Sequence, residues 1–208
     1  MSTVILVRPG CTDFDEQKRI QGTIELPLNS RGQYQLAQVI DAIRDQPVEA
    51  VISSPSDPCR STAEALAHAL DVTIKEKKEL LNLDQGLWQG LCVDDIRKKF
   101  PRVYRQWAEA PETVCPPEGE TVASAVDRLK SALKKPLRKY DSFVVVASEP
   151  MASLISCTLR GTATDDLGNA MFSCCDDQLV EIIETSGTAD ERIGHSQQIP
   201  IAVAVCKE

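Results

Sequence analysis

Two apolar runs end in the same way. Residues 4–7 read VILV and lead through Arg8 into Pro9 and Gly10; residues 143–148 read FVVVAS and stop at Glu149 and Pro150. A short, uninterrupted apolar run bounded by turn residues is the pattern of a strand buried on both faces. FVVVAS is the more hydrophobic and is placed at the centre of a sheet. Each strand then delivers its last residues into a loop positioned like an active-site loop. Pro9 and Glu149 stand where a nucleophile and an acid–base partner would be sought.

The segments between them alternate regularly. Ser30 caps a helix that starts near Arg31, with Leu36, Val39, Ile40 and Ile43 on one face at helical spacing. Residues 48–52 (VEAVI) form a second strand, followed by the turn-rich loop SSPSDPCR. The helix STAEALAHAL starts at a Ser61 cap, with Glu64 completing a capping box. VTIKEKKEL supplies a third, more exposed strand. Strand, helix, strand, helix, strand is the order of an α/β layer structure with crossovers.

Residues 81–120 break this rhythm with both tryptophans and several prolines. DDIRKKF and PRVYRQWAEA read as short helices jointed at Pro101. The region is read as a helical insertion over the carboxyl edge of the sheet, because so few aliphatic residues make a poor core alone. ETVASAVDRLKSAL follows as an amphipathic helix with Val122, Val126, Leu129 and Leu133 inward. MASLISCTLR is another helix, and QLVEIIET and IPIAVAVC are late strands. The 208 residues suit one domain, 1–208.

Charge narrows the partners. With 23 basic and 31 acidic side chains, the formal charge is -8. That balance argues against a general nucleic-acid or anionic-membrane surface. No apolar run approaches the roughly 20 residues of a membrane span. MSTVILVRPG reads as a buried strand, not a secretory signal, so a cytoplasmic location is expected. The eight cysteines are irregularly spaced, with no CxxC pair, which predicts mostly reduced, buried thiols.

Taken in order, the motifs resemble the histidine phosphatase superfamily, in its phosphoglycerate mutase-like branch. VILVRPG is similar to the family's opening strand and Arg-His-Gly. Residues 19–40 (RIQGTIELPLNSRGQYQLAQVI) resemble its Arg-x-Gln-Gly, Pro-Leu and Gly-x-x-Gln-Ala segment. VISSPSDPCRSTAEALA resembles its Ser-Ser-Pro loop and Thr-Ala-Glu helix, and GLWQG its Gly-x-Trp-Glu-Gly. PPEGET with Arg128 resembles Pro-Gly-Gly-Glu-Ser and the arginine beyond it. VVVASEP resembles the strand ending Ser-His-Gly. NAMFSCC and GHSQQIP resemble the late Asn strand and near-terminal histidine. The resemblance implies a three-layer α/β/α fold with a mixed, mostly parallel sheet of about six strands. Members of the fold commonly form dimers, so a homodimer is an expectation.

The family's reaction needs an imidazole nucleophile, positive charge around the phosphate and a carboxylic acid for the leaving oxygen. Arg8 is kept. The nucleophilic histidine falls on Pro9, the second arginine on Pro58, the acid on Asn82 and the second histidine on Glu149. Arg8, Ser53 and Glu149 remain as ligand-binding candidates, and Arg8 and Glu149 are also candidates to pair with each other. The resemblance with these departures implies a catalytically inactive protein with a binding, scaffolding or regulatory role towards an unknown small molecule or protein. The alternatives are an enzyme using Glu149 as acid or base, and a phosphatase or phosphomutase acting on small phosphoesters.

No other residue offers an obvious replacement. His68 reads as exposed or structural and His195 as a loop residue. Cys11 and Cys59 lie near the loops, where a thiol beside an arginine or helix start is activated, but the simpler reading is structural. Asp13, Asp15 and Glu149 have no spacing that demands a metal, so neither metal nor cofactor is expected.

Overall fold

The computed structural model describes residues 2–162, residues 178–185 and, for the backbone only, residues 196–198. Expectations for 169–175, for His195 and for IPIAVAVC lie outside these residues.

Six strands among the described residues form one sheet: β1 (Ser2–Val7), β2 (Ala50–Ser53), β3 (Thr73–Glu76), β4 (Ser142–Val146), β5 (Val180–Thr185) and β6 (Ser196–Gln198). Their order is β3-β2-β4-β1-β5-β6. β3, β2, β4 and β1 run parallel, and β5 is antiparallel to both β1 and β6. β4 lies between β2 and β1, and all its residues are buried. The exposed β3 is an edge, as its charged sequence dictates.

Alternation along the strands feeds two cores. Val4, Leu6, Phe143 and Val145 face one side; Ile5, Val7, Val144 and Val146 face the other. The first side is covered by α6 (Val122–Lys139) and α7 (Met151–Arg160). The second is covered by α2 (Ser30–Ile43) and α3 (Cys59–Leu70). The result is the expected three-layer α/β/α arrangement. A one-turn helix, α1 (Asp13–Glu16), interrupts the loop after β1. Between β3 and α6 come α4 (Val93–Lys99) and α5 (Pro101–Glu109). Their Ile96 and Trp107 belong to the same core as Val4 and Leu6, and Trp88 packs against Trp107 with ring centroids 4.7 Å apart and planes tilted by 54°.

Helix ends depart from the sequence reading. Asn29, not Ser30, caps α2 by accepting the Gly32 N–H at 2.9 Å. α3 starts at Cys59, two residues before the expected Ser61 cap, and Asp57 accepts the Ser61 N–H at 3.1 Å. Ser61 thus lies inside the first turn, where its N–H is satisfied by a carboxylate before the helix and its hydroxyl donates back to the Pro58 carbonyl at 3.2 Å. α6 continues through Pro136 to Lys139 because the Pro136 ring is buried in the core, which offsets the lost backbone bond.

One close approach fixes the loop after β1. A Cβ on Gly32 would lie 2.1 Å from the Cys11 carbonyl oxygen, and one on Gly10 would lie 2.3 Å from the Gly32 carbonyl oxygen. The Cys11 N–H donates to Gln35 Oε1 at 2.9 Å, and the Asn29 N–H to the Cys11 carbonyl at 3.0 Å. The start of α2 is therefore seated directly on the loop that follows Arg8. Gly32→Ala is expected to lower the unfolding free energy by about 2 kcal/mol in urea titrations; an unchanged midpoint would mean that the two segments part without cost.

Candidate functional site

The sheet register assembles the site. Val7 pairs with Val146, so Arg8 and the segment Ala147–Ser148–Glu149 leave neighbouring strands at the same edge. The Ala147 N–H donates to the Val7 carbonyl at 3.1 Å, and the Arg8 N–H to the Leu179 carbonyl at 2.8 Å. β2 ends beside β4 with Ser53 opposite Val146. The carboxyl ends of β1, β2 and β4 thus converge where open α/β sheets hold their ligands.

The guanidinium of Arg8 faces Glu149. Its Nε donates to Glu149 Oε1 at 2.5 Å, and NH1 and NH2 each lie 3.4 Å from Glu181 Oε2. Burial alone would lower the Arg8 pKa, but Glu149 and then Glu181 outweigh it and hold the guanidinium above its usual range. The other Glu149 oxygen accepts the Ser153 N–H at 3.2 Å, in the first turn of α7, where the helix dipole favours negative charge. The pair between Arg8 and Glu149 named as one possibility from the sequence is therefore present.

Two further charges close this arrangement, and sequence reasoning missed both. Arg160 at the end of α7 donates to Glu181 Oε1 at 2.5 Å, and the Ser156 hydroxyl donates to the same oxygen at 2.6 Å. Arg8, Glu149, Glu181 and Arg160 are 12–16% exposed at their side chains and sum to zero charge. A signal existed: positions 149, 153, 156 and 160 recur at helical spacing, and Glu181 interrupts the apolar run of β5.

The remaining candidates have structural partners. Asn82 donates from Nδ2 to the Glu149 carbonyl at 2.8 Å, and its Oδ1 accepts the Leu83 N–H at 2.9 Å and the Met151 N–H at 3.4 Å. It fastens the segment before Gly86 to the start of α7. Pro58 is buried at the N-cap of α3 and presents no donor. Arg60 turns to Asp57 at 2.7 Å. Ser53, a ligand-binding candidate from the sequence, is fully buried; its hydroxyl is shared between the Ser54 carbonyl at 2.9 Å and the Cys59 carbonyl at 3.1 Å. Its donor is spent on holding the loop that opens α3.

Neither candidate thiol is poised for attack. Cys59 is buried with its sulfur 3.2 Å from the Ser148 hydroxyl, and burial pushes its pKa up to about 11. Cys11 is buried and disulfide-bonded, an exception to the mostly reduced thiols expected from the sequence. His68 is exposed on α3. Asp15 accepts the Thr12 N–H and hydroxyl at 2.6 and 2.7 Å, while Asp13 is exposed. Among the described residues no group of three or more His, Cys, Asp and Glu is placed to hold a metal, and no helix is long and apolar enough to cross a membrane.

Two measurements check this geometry. Glu181→Ala leaves Arg8 and Arg160 without their shared counter-charge and is expected to cost about 3 kcal/mol of stability. Arg44→Ala, which breaks an ion pair exposed at 62% and 74%, is expected to cost under about 0.5 kcal/mol. Equal losses would refute a cooperative charge cluster. Brief iodoacetamide treatment at about pH 8 is expected to alkylate the exposed Cys115 and spare Cys59, read by peptide mass spectrometry.

Comparison with known proteins places this architecture. Phosphoserine phosphatase 1 of Hydrogenobacter thermophilus is 28% identical over 186 residues, covering 88% of this chain and 86% of that protein. A mycobacterial glucosyl-3-phosphoglycerate phosphatase superposes with a TM-score of 0.80 at 18% identity, over 95% of this chain and 97% of that one. YhfR of Bacillus stearothermophilus gives 0.79 at 21% identity, over 97% of each chain. The family model of the histidine phosphatase superfamily, branch 1, matches residues 4–190, and the chain belongs to that superfamily.

Proposed function

We propose that this protein is a catalytically inactive member of the superfamily, with a binding, scaffolding or regulatory role in the cytoplasm. The observation that carries this reading is the 2.5 Å contact between Arg8 and Glu149. The guanidinium that would grip a phosphoryl group is already satisfied by an internal carboxylate.

The chemistry around that contact agrees. Pro9 has no side-chain atom able to accept a phosphoryl group, and its nitrogen is tied up in the backbone amide. Pro58 brings no charge to the phosphate oxygens. An amide such as Asn82 does not protonate a leaving oxygen as a carboxylic acid does, and here it is bound to the Glu149 backbone. Glu149 would repel a phosphate dianion by about 4 kcal/mol per unit charge at 4 Å in an effective dielectric of about 20. A neutral or cationic ligand, or a protein partner, fits such a centre better. Glu149 as a general acid or base is disfavoured by the same contacts, because one of its oxygens is held by Arg8 and the other by the first turn of α7.

The purified protein is expected to show no turnover of phosphomonoesters and no phosphoglycerate mutase activity. Turnover that disappears in Arg8→Ala would overturn the proposal. Glu149→Gln, which keeps the shape and removes the charge, is expected to raise affinity for inorganic phosphate at least about tenfold by calorimetry. An unchanged affinity would mean that the Glu149 charge is not what keeps phosphate out.

A further inference from the structure

A cleft opens at Asn82, which forms part of its wall. Its volume is about 530 Å³, and its lining includes Thr23, Lys78, Asp84, Thr121 and Arg128. That size lies within the range of small-molecule sites, about 300–1,000 Å³.

Its frame is rigid and electrically spent. Arg128 uses all five of its N–H donors: Nε and NH2 bind the two Glu120 carboxylate oxygens at 2.8 and 2.7 Å, and NH1 and NH2 bind the carbonyls of Glu79, Leu81 and Asn82 at 2.7, 2.6 and 3.2 Å. Arg128 and Glu120 therefore cancel, and Arg128 has no N–H left for a ligand. Their work is to hold the wall formed by residues 79–82 against the start of α6.

Two charges remain. Lys78 is exposed, and no side-chain partner engages it among the described residues. Asp84 is half-buried and accepts only the Gly86 N–H, at 2.8 Å through Oδ1, which leaves Oδ2 unused. Thr121 Oγ1 accepts the Ser124 N–H at 3.2 Å, and its own O–H remains to donate. A phosphate dianion would meet Asp84, and a simple cation would meet Lys78. A molecule carrying one charge of each sign satisfies both rims.

We propose that this cleft binds a small zwitterion of the free α-amino-acid class, with its carboxylate toward Lys78 and its ammonium toward Asp84. The volume exceeds that of the charged core alone and leaves room for a side chain near the Thr23 and Thr121 hydroxyls. The cleft adjoins the Arg8–Glu149 centre, because Asn82 lines it and donates to the Glu149 carbonyl at 2.8 Å, but neither Arg8 nor Glu149 is among its lining residues.

The test is titration of the full chain with each free L-amino acid, followed by amide chemical shifts and calorimetry. At least one is expected to bind with a Kd of about 1 mM or tighter, shifting the amides of Thr23, Gly119 and Ser124. Its N-acetylated and carboxamide derivatives, each lacking one charge, are expected to bind at least about tenfold more weakly. Lys78→Ala and Asp84→Asn are expected to do the same while remaining folded, and the surface change Arg44→Ala to leave binding unchanged. The inference is overturned if no free amino acid shifts these amides, if the derivatives bind as tightly as the parent, or if both rim variants bind like the wild type.

Discussion

The parallel pairing of β1 with β4 is the contact on which the site depends. Its register, Val7 opposite Val146, fixes which residues meet beyond the strand ends. Both strands are buried on both faces, so a one-residue slip would move each apolar side chain to the opposite core. The same packing that stabilises the sheet therefore sets Arg8 against Glu149 within hydrogen-bonding distance. The Gly10–Gly32 approach then seats α2 on the loop after Arg8.

Around that junction the structure balances charge locally. Arg8 and Arg160 face Glu149 and Glu181, while Ser153 and Ser156 supply neutral donors from the same face of α7. Partly buried ions are tolerable only when paired and hydrogen-bonded, and each member here has both. The charges are closed on one another, although the buried Arg160 Nε has no hydrogen-bond partner among the described residues. The contrast with Arg128 is instructive. Both arginines have partly buried carboxylate partners, but Arg128 also binds three carbonyls of one segment and so builds a wall, whereas Arg8 ties two strand ends together.

Much of the fold was legible in the residues because buried strands and amphipathic helices write their periodicity directly. β4 reads as central from FVVVAS, and β3 as an edge from its charges. Helix ends were less legible. Asn29 caps α2 one residue before Ser30, and α3 begins two residues before Ser61, because the backbone path decides where a helix starts. The run of α6 through Pro136 was hidden because proline usually ends a helix, and only burial of its ring compensates.

For the site, the sequence alone determined the family motifs, the survival of Arg8 and the residue types Pro9, Pro58, Asn82 and Glu149 at the loop positions. These follow from local order along the chain. Tertiary structure decided what each side chain does. Ser53, a plausible ligand contact by position, turns its hydroxyl into its own loop. Glu181 and Arg160 join Arg8 although 173 and 152 residues separate them from it in the chain. Such pairings are set by strand order and helix packing, and a charge's partner is chosen by distance in space, which no local pattern encodes.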